Sequence, residues 1–263
     1  MNERRIYQLS DCHLSAEETQ PTERLIYILN QIEQNRVSTT CSRLTFNGEQ
    51  DILLLTGDLV CQPTLALYQA FKAAVETHTS ISHIYAIAGN HDDRDLMKTA
   101  FQGSRIQIRS RIPLDHRCQI ICLDSSDKPF SEMALGSGRL AKRGLSALKS
   151  QSRKKQSIVV IHHPLLNVGA QWFQEIGIEN NLKVMDAIHP QTIAVLSGHA
   201  HAHFDLTLAN QVPQTVCPAT SYGFNHNVDD YQRTAQIGFM CHILKSEEPN
   251  KTLHSSAYVF EAK

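Results

Sequence analysis

Five short clusters hold nearly all the residues able to bind a metal or move a proton. They are Asp11-Cys12-His13, Gly57-Asp58, Gly89-Asn90-His91, His162-His163-Pro164 and Gly198-His199-Ala200-His201-Ala202-His203. Hard oxygen donors mixed with imidazole nitrogens suit Mn²⁺, Fe or Zn²⁺ rather than a structural zinc or an EF-hand calcium. Two carboxylates, one amide and at least four imidazoles exceed what one ion uses. Two ions sharing one bridging carboxylate is the economical reading. Such pairs sit about 3.5–4 Å apart and clamp the attacking and leaving oxygens of a phosphoester. Histidine is also abundant, 14 of 263 residues, and it is both the commonest metal ligand and the usual proton carrier near neutral pH.

Each cluster follows a predicted strand. Residues 51–56 (DILLLT) are a continuous apolar run closed by Gly57, the mark of a strand buried on both faces. Residues 4–10, 83–88, 119–124, 158–161 and 192–196 read as further strands. Leu25, Ile28, Leu29 and Ile32 recur at helical spacing and predict a helix over 22–35; Leu67, Ala70, Phe71, Ala74 and Val75 predict another after Pro63. Helices are also expected over 92–101, 139–150 and 181–188. From 203 onward the pattern is β, at 203–209, 213–217, 236–243 and 256–260. Segments 37–50 and 125–138 read as loops, the second near or over the site. The order predicts an α/β layered fold in one domain, residues 1–263, with the polar tips meeting at the carboxyl ends of the strands. In an extended segment, side chains two apart share a face, which would aim Asp11 with His13, and His199 with His201, at one ion. Cys12 would then face the other way, as a buried apolar-like residue. Glycines before Asp58, Asn90 and His199 permit sharp turns and close backbone approach.

Composition narrows the rest. Lys and Arg total 25 against 26 Asp and Glu, a net charge of −1, with 41% hydrophobic and 19% charged residues. That excludes disorder over the whole chain and leaves no basic footprint for long nucleic acid. No apolar run approaches the length of a membrane span, and the first residues lack a signal-peptide core, so a cytoplasmic location is expected. Seven scattered cysteines without a C-x-x-C pair fit reduced thiols rather than a disulfide frame or zinc knuckle.

D-x-H, G-D, G-N-H, H-H-P and G-H-x-H, in this order over residues 11 to 201, resemble the calcineurin-like metallophosphoesterase superfamily. The short form is similar to the class III cyclic nucleotide phosphodiesterases of bacteria. The resemblance implies a four-layer α/β/β/α sandwich and two metal ions per chain (Mn, Fe or Zn). It places Asp11, His13, Asp58 and His201 around one ion, with Asp58 bridging to a second that also takes Asn90, His162 and His199. In H-H-P the ligand is the first histidine, His162. His91 matches the histidine that faces the substrate phosphate without binding metal. The implied activity is hydrolysis of a small phosphodiester, 3′,5′-cyclic AMP to 5′-AMP, through a water activated between the ions. His91 protonates the leaving oxygen, and His13, Asp58, Asn90, His91 and His201 face the substrate. The alternative is another small phosphoester: a 2′,3′-cyclic nucleotide, a phosphomonoester, a nucleotide pyrophosphate or a phospholipid head group. The expected partner is that small molecule, a cyclic nucleotide first, and a second copy of the chain is a candidate for a homodimer. The stretch 217–224 (CPATSYGF) and the loop at 14–21 depart from the cyclic nucleotide enzymes. A binding module with a decayed site would not need the seven ligands and His91 together.

Other residues have plainer readings. His163 supports or packs, as does His203. The remaining histidines, at 78, 83, 116, 189, 226, 242 and 254, read as surface or structural residues, His226 alone having a prospect of reaching the substrate. Trp172, the only tryptophan, is either a core anchor or a base-stacking platform at the pocket rim. The run Arg153-Lys154-Lys155 is a solvated face at a helix end.

Overall fold

The structure, a computed structural model, describes residues 3–34, 46–247 and 250–262. The first half comprises β1 (Glu3–Leu9), α1 (Gln20–Glu33), β2 (Ile52–Thr56), α2 (Leu65–His78), β3 (His83–Ile87), α3 (Arg94–Ala100) and β4 (Ile106–Gln107). The second comprises β5 (Arg111–Pro113), β6 (Cys118–Leu123), α4 (Lys142–Gln151), β7 (Gln156–Ile161), α5 (Gln171–Gln174), α6 (Asn181–Met185), β8 (Thr192–Ser197), β9 (Phe204–Thr207) and β10 (Pro213–Val216). A ribbon of β11 (Gly223–Phe224) and β12 (Arg233–Thr234) follows, and β13 (Gln236–Glu247) with β14 (Asn250–Glu261) ends the chain.

Two six-stranded sheets result, ordered β14-β13-β1-β2-β3-β4 and β5-β6-β7-β8-β10-β9. Strand periodicity explains why they stack. On β1 and β2, Ile6, Ile52 and Leu54 face the second sheet, where they meet Ile120, Cys122, Ile158, Val160 and Leu196. The alternate residues Tyr7, Leu9, Leu53 and Leu55 face outward, beneath Leu25, Ile28 and Ile32 of α1 and Phe71 and Val75 of α2. The second sheet repeats this, with Val159, Ile161 and Val195 under Leu148 of α4 and Val184 of α6. Strands apolar on both faces thus give the expected four layers, α/β/β/α.

One polar group crosses between the sheets. Gln8 is fully buried; its amide donates to Thr56 Oγ1 at 3.0 Å and the Ser197 carbonyl at 2.9 Å. Its carbonyl meets His242 Nε2 at 3.0 Å, whose other nitrogen meets Ser255 Oγ at 2.8 Å. The network fixes the ends of β2 and β8 relative to each other, directly below the clusters described next.

Most strands and helices fall close to the sequence-based spans, but β13 and β14 run past the expected 236–243 and 256–260, pairing along their full lengths. Short edge strands β4 and β5, the ribbon and α5 were not anticipated, because two to four residues carry no periodicity. In the expected loop 37–50, residues 48–50 form a turn, and 37–45 lie outside the described residues. The six described cysteines are free, and Cys12 is buried in the outer core of the first sheet. Among the described residues no helix is long and apolar enough to cross a membrane.

Candidate metal centre

The five clusters meet at the carboxyl ends of β1, β2, β3, β7 and β8. The local cause differs from simple alternation along a strand. Asp11 and His13 lie beyond β1, at φ 53° and 44°, and His199 and His201 beyond β8, at φ 72° and 51°; Asp58 has φ 52°. These five are nearly all of the six described non-glycine residues with positive φ. Such backbone is strained for residues with a Cβ, and its concentration at one place marks a functional constraint. Left-handed turns, not strand alternation, aim these side chains: Asp11 and His13 do share a group, with His201, whereas His199 parts from His201 and groups with His162 and His163.

Close packing holds the turns. Asp11 N donates to the Gly57 carbonyl and His13 N to the Asp58 carbonyl, both at 3.0 Å. Gly57 itself adopts φ +98°, and a Cβ on Gly89 would lie 2.1 Å from Asp58 Oδ1. His199 N donates to Asp11 Oδ2 at 2.8 Å, and His91 N to Asp58 Oδ1 at 2.8 Å.

Each carboxylate is shared. Ligand atoms of Asp11, His13 and His201 lie within 4.8 Å of one another, as do those of Asp11, Asp58 and His162, and those of His13, Asp58 and His91. His162, His163 and His199 form a further group. Asn90 Oδ1 is 3.2 Å from His162 Nε2. All seven expected ligands and His91 are therefore brought together.

Backbone carbonyls set the imidazoles. His162 Nδ1 donates to Thr56 O at 2.8 Å, leaving Nε2 aimed at Asp58 Oδ2, 3.4 Å away. His201 Nδ1 donates to Tyr222 O at 2.7 Å, leaving Nε2 3.4 Å from Asp11 Oδ1 and 3.1 Å from His13 Nε2. The buried atoms without a hydrogen-bond partner among the described residues include three that belong to the expected ligands: Asp11 Oδ1, His13 Nδ1 and His199 Nε2. Buried polar atoms are normally satisfied, and a carboxylate oxygen among imidazole nitrogens calls for a cation. The donor set fits divalent metal.

Electrostatics agree. Burial pushes the pKa of His13 down to about 4 and those of His199 and His201 well below the usual value, so these rings are neutral, the form able to ligate a metal. His162 goes the other way: burial opposes its charge, but Asp58 and then Asp11 raise its pKa. Asp58, despite burial, is held well below the carboxylate range by His162 and then His13. Burial raises Asp11. A proton on His162 Nε2 occupies ground that a cation would take, and a metal held there would displace it.

The remaining histidines separate clearly. His163 uses both nitrogens, Nδ1 with Ser125 Oγ at 2.7 Å and Nε2 with Gly136 O at 3.0 Å. It fastens the 125–138 loop, whose Gly136 stands beside Asn90 and His199. His203 faces Asp205, 3.4 Å away. His226 bonds Ala200 O at 2.7 Å and accepts from Ala170 N at 3.2 Å, so neither nitrogen is left for substrate. Trp172 stacks on that ring at 5.7 Å and packs with Phe173 and Phe224, which makes it a core anchor. His91 is exposed, with Nδ1 3.0 Å from the Cys61 carbonyl.

One positioning residue escaped sequence reasoning. Asp92 accepts from Leu59 N at 3.2 Å, Gly89 N at 2.9 Å and Tyr68 OH at 3.0 Å, pinning the turns after β2 and β3 together. Burial and then the Asp58 charge push its pKa up to about 6. Its signal was the acidic pair directly following Gly89-Asn90-His91.

The calcineurin-like phosphoesterase family model matches residues 4–203. The chain is 31% identical over 188 residues to a probable cyclic nucleotide phosphodiesterase of Colwellia psychrerythraea, covering 67% of this chain and 68% of that protein. It is 27% identical over 206 residues to the 3′,5′-cyclic adenosine monophosphate phosphodiesterase CpdA of Escherichia coli K12, covering 77% and 71%. In fold it is similar to a dimetal phosphatase from Danio rerio, with TM-score 0.64, 10% identity and coverage of 98% and 99%. A purple acid phosphatase from yellow lupin aligns at TM-score 0.58 and 13% identity, covering 99% of this chain and 54% of that one.

Proposed function

We propose that this chain, which belongs to the calcineurin-like phosphoesterase family, hydrolyses a small phosphodiester at a centre of two metal ions, with 3′,5′-cyclic AMP as substrate and 5′-AMP as product. The observation that carries the reading is the place of Asp58. Its carboxylate belongs both to the group with His13 and His91 and to the group with Asp11 and His162, as a shared ligand must. The names of the similar proteins support the cyclic nucleotide.

Asp11, His13, Asp58 and His201 would hold one ion, and Asp58, Asn90, His162 and His199 the other. When bound, such ions lower the pKa of a water and polarise phosphoryl oxygens. The chain does the rest. Thr56 and Tyr222 carbonyls fix the tautomers of His162 and His201, and the His91 amide fixes Asp58. His13, Asp58, Asn90, His91 and His201 then face the phosphate. His91, with Nδ1–H on the Cys61 carbonyl, presents Nε2 to the reacting group. As the P–O3′ bond breaks, the ribose oxygen takes the Nε2 proton.

The test is a panel with Mn²⁺-reconstituted protein: cAMP, cGMP, 2′,3′-cAMP, an aryl phosphodiester and an aryl phosphomonoester, alongside elemental analysis. The reading expects two Mn equivalents and cAMP cleaved fastest to 5′-AMP. A stable single equivalent with full activity would end the two-metal reading, and a clear preference for the monoester would end the diesterase.

A further inference from the structure

The family match stops at residue 203, yet the ribbon that follows lies directly against the site. Phe224 stacks on His201 with ring centres 4.1 Å apart and planes 15° apart. Tyr222 stacks on His13 at 5.6 Å and 26°. Across the ribbon, the Arg233 guanidinium lies 3.9 Å over the Tyr222 ring, and its Nε donates to Tyr231 OH at 2.6 Å. Two constraints on one long side chain hold the guanidinium flat, and its terminal nitrogens have no partner among the described residues. Stacked guanidinium groups behave this way, keeping donors at the edge while the face packs.

A cleft of about 170 Å³ opens here. His13, Tyr222 and Arg233 line it together with Glu17, Glu18 and Gln62. With the scissile phosphate at Asp58, this cleft receives what the phosphate carries. The charges say what that is. One guanidinium against two carboxylates does not favour a second anion. The same set suits a neutral planar heterocycle: a flat cation to stack upon, donors for ring nitrogens, and carboxylates for an exocyclic amine.

We infer that Arg233 is a specificity-determining residue that holds the nucleobase of the substrate beside the metal site, on a platform made by Tyr222. The inference rests on the nucleotide reading above. It needs no new chemistry, since Arg233 stands one ring beyond His13.

The experiment uses the Mn²⁺-loaded protein and its Arg233→Gln and Arg233→Lys variants. Three quantities are measured: kcat and KM for cAMP, kcat/KM for methyl 4-nitrophenyl phosphate, which has no base, and the Kd of 5′-AMP by calorimetry. In both variants KM for cAMP and Kd for 5′-AMP should rise about tenfold, with kcat for cAMP changed less than about threefold. The methyl diester should change at most about twofold. Equal losses on both substrates, an unchanged Kd for 5′-AMP, or full rescue by lysine would each overturn the assignment. Should the unmodified protein cleave the methyl diester but no cyclic nucleotide, the cAMP reading falls on its own. The 5′-AMP titration, which needs no turnover, still decides for or against Arg233.

Discussion

The centre of the site and the shell around it are both built from histidine, and they treat the ring differently. In the centre, His162 and His201 each give one nitrogen to a backbone carbonyl and aim the other at a carboxylate. His13 and His199 each leave a buried nitrogen without a partner. In the shell, His163, His226 and His242 have both nitrogens engaged by protein. The contrast separates the candidate ligands from the struts. A buried imidazole with one nitrogen tied and one waiting is prepared for a cation, whereas a ring tied at both ends carries load between loops or strands. Adjacent histidines in His162-His163 fall on opposite sides of this division.

The sharpest test of the centre is Asp58→Ala. It removes the carboxylate common to the group with His13 and His91 and the group with Asp11 and His162, so activity should fall about 10³-fold or more, roughly 4 kcal/mol of barrier. Metal content should drop below one equivalent. Activity within about tenfold of the unmodified protein would remove Asp58 from the bridging position.

His91→Ala probes the boundary between centre and surroundings. Loss of a proton donor should slow cAMP hydrolysis about 10²-fold, with both ions retained. An aryl phosphodiester, whose leaving group needs little protonation, should suffer far less. Equal losses would assign His91 to orientation alone.

For the struts, His163→Ala should cost about 2–3 kcal/mol of stability, from two lost hydrogen bonds and a cavity, and about tenfold in rate as the 125–138 loop loosens. Two Mn equivalents should remain. Loss of an equivalent without loss of stability would make His163 a ligand and break the division.

His242 gives the smallest effect and a pH signature. Burial, then the His203 charge, push its pKa down to about 3 from 6.5. Between those values the unfolded chain binds the extra proton. Stability is therefore intact above about pH 6.5 and is lost as pH falls towards 3, by at most about 1.4 kcal/mol per unit. Urea unfolding at pH 7, 6 and 5 should show a shallower decline for His242→Gln than for the unmodified protein. Parallel declines would mean that His242 is already protonated when folded.

Much of this was legible in the residues. The continuous apolar run of DILLLT and the spacing of Leu25, Ile28, Leu29 and Ile32 placed β2 and α1, because β2 is buried on both faces and α1 along one. The five polar clusters announced the site, since carboxylate, amide and imidazole at strand ends have little other use together. What stayed hidden was backbone. Nothing in the letters marks the Thr56 and Tyr222 carbonyls as the groups that orient His162 and His201. The left-handed turns at Asp11 and His13 were equally invisible, so the right pairing rested on the wrong geometry. Arg233 lies 32 residues past His201 in the chain and reaches the site only through the ribbon fold, which is too short to show a period.

The positive φ angles at Asp11, His13, Asp58, His199 and His201 set selection for thermostability against selection for turnover. A left-handed residue with a Cβ costs roughly 1–2 kcal/mol, less for aspartate and nothing for glycine. Glycine would relax the chain at each of these positions, and each such exchange would delete a side chain of the candidate metal centre. A library sorted for melting temperature alone would drift towards glycine at these five places and arrive at a hardier, inert fold. Stabilising this protein without that outcome means choosing substitutions away from the strand ends.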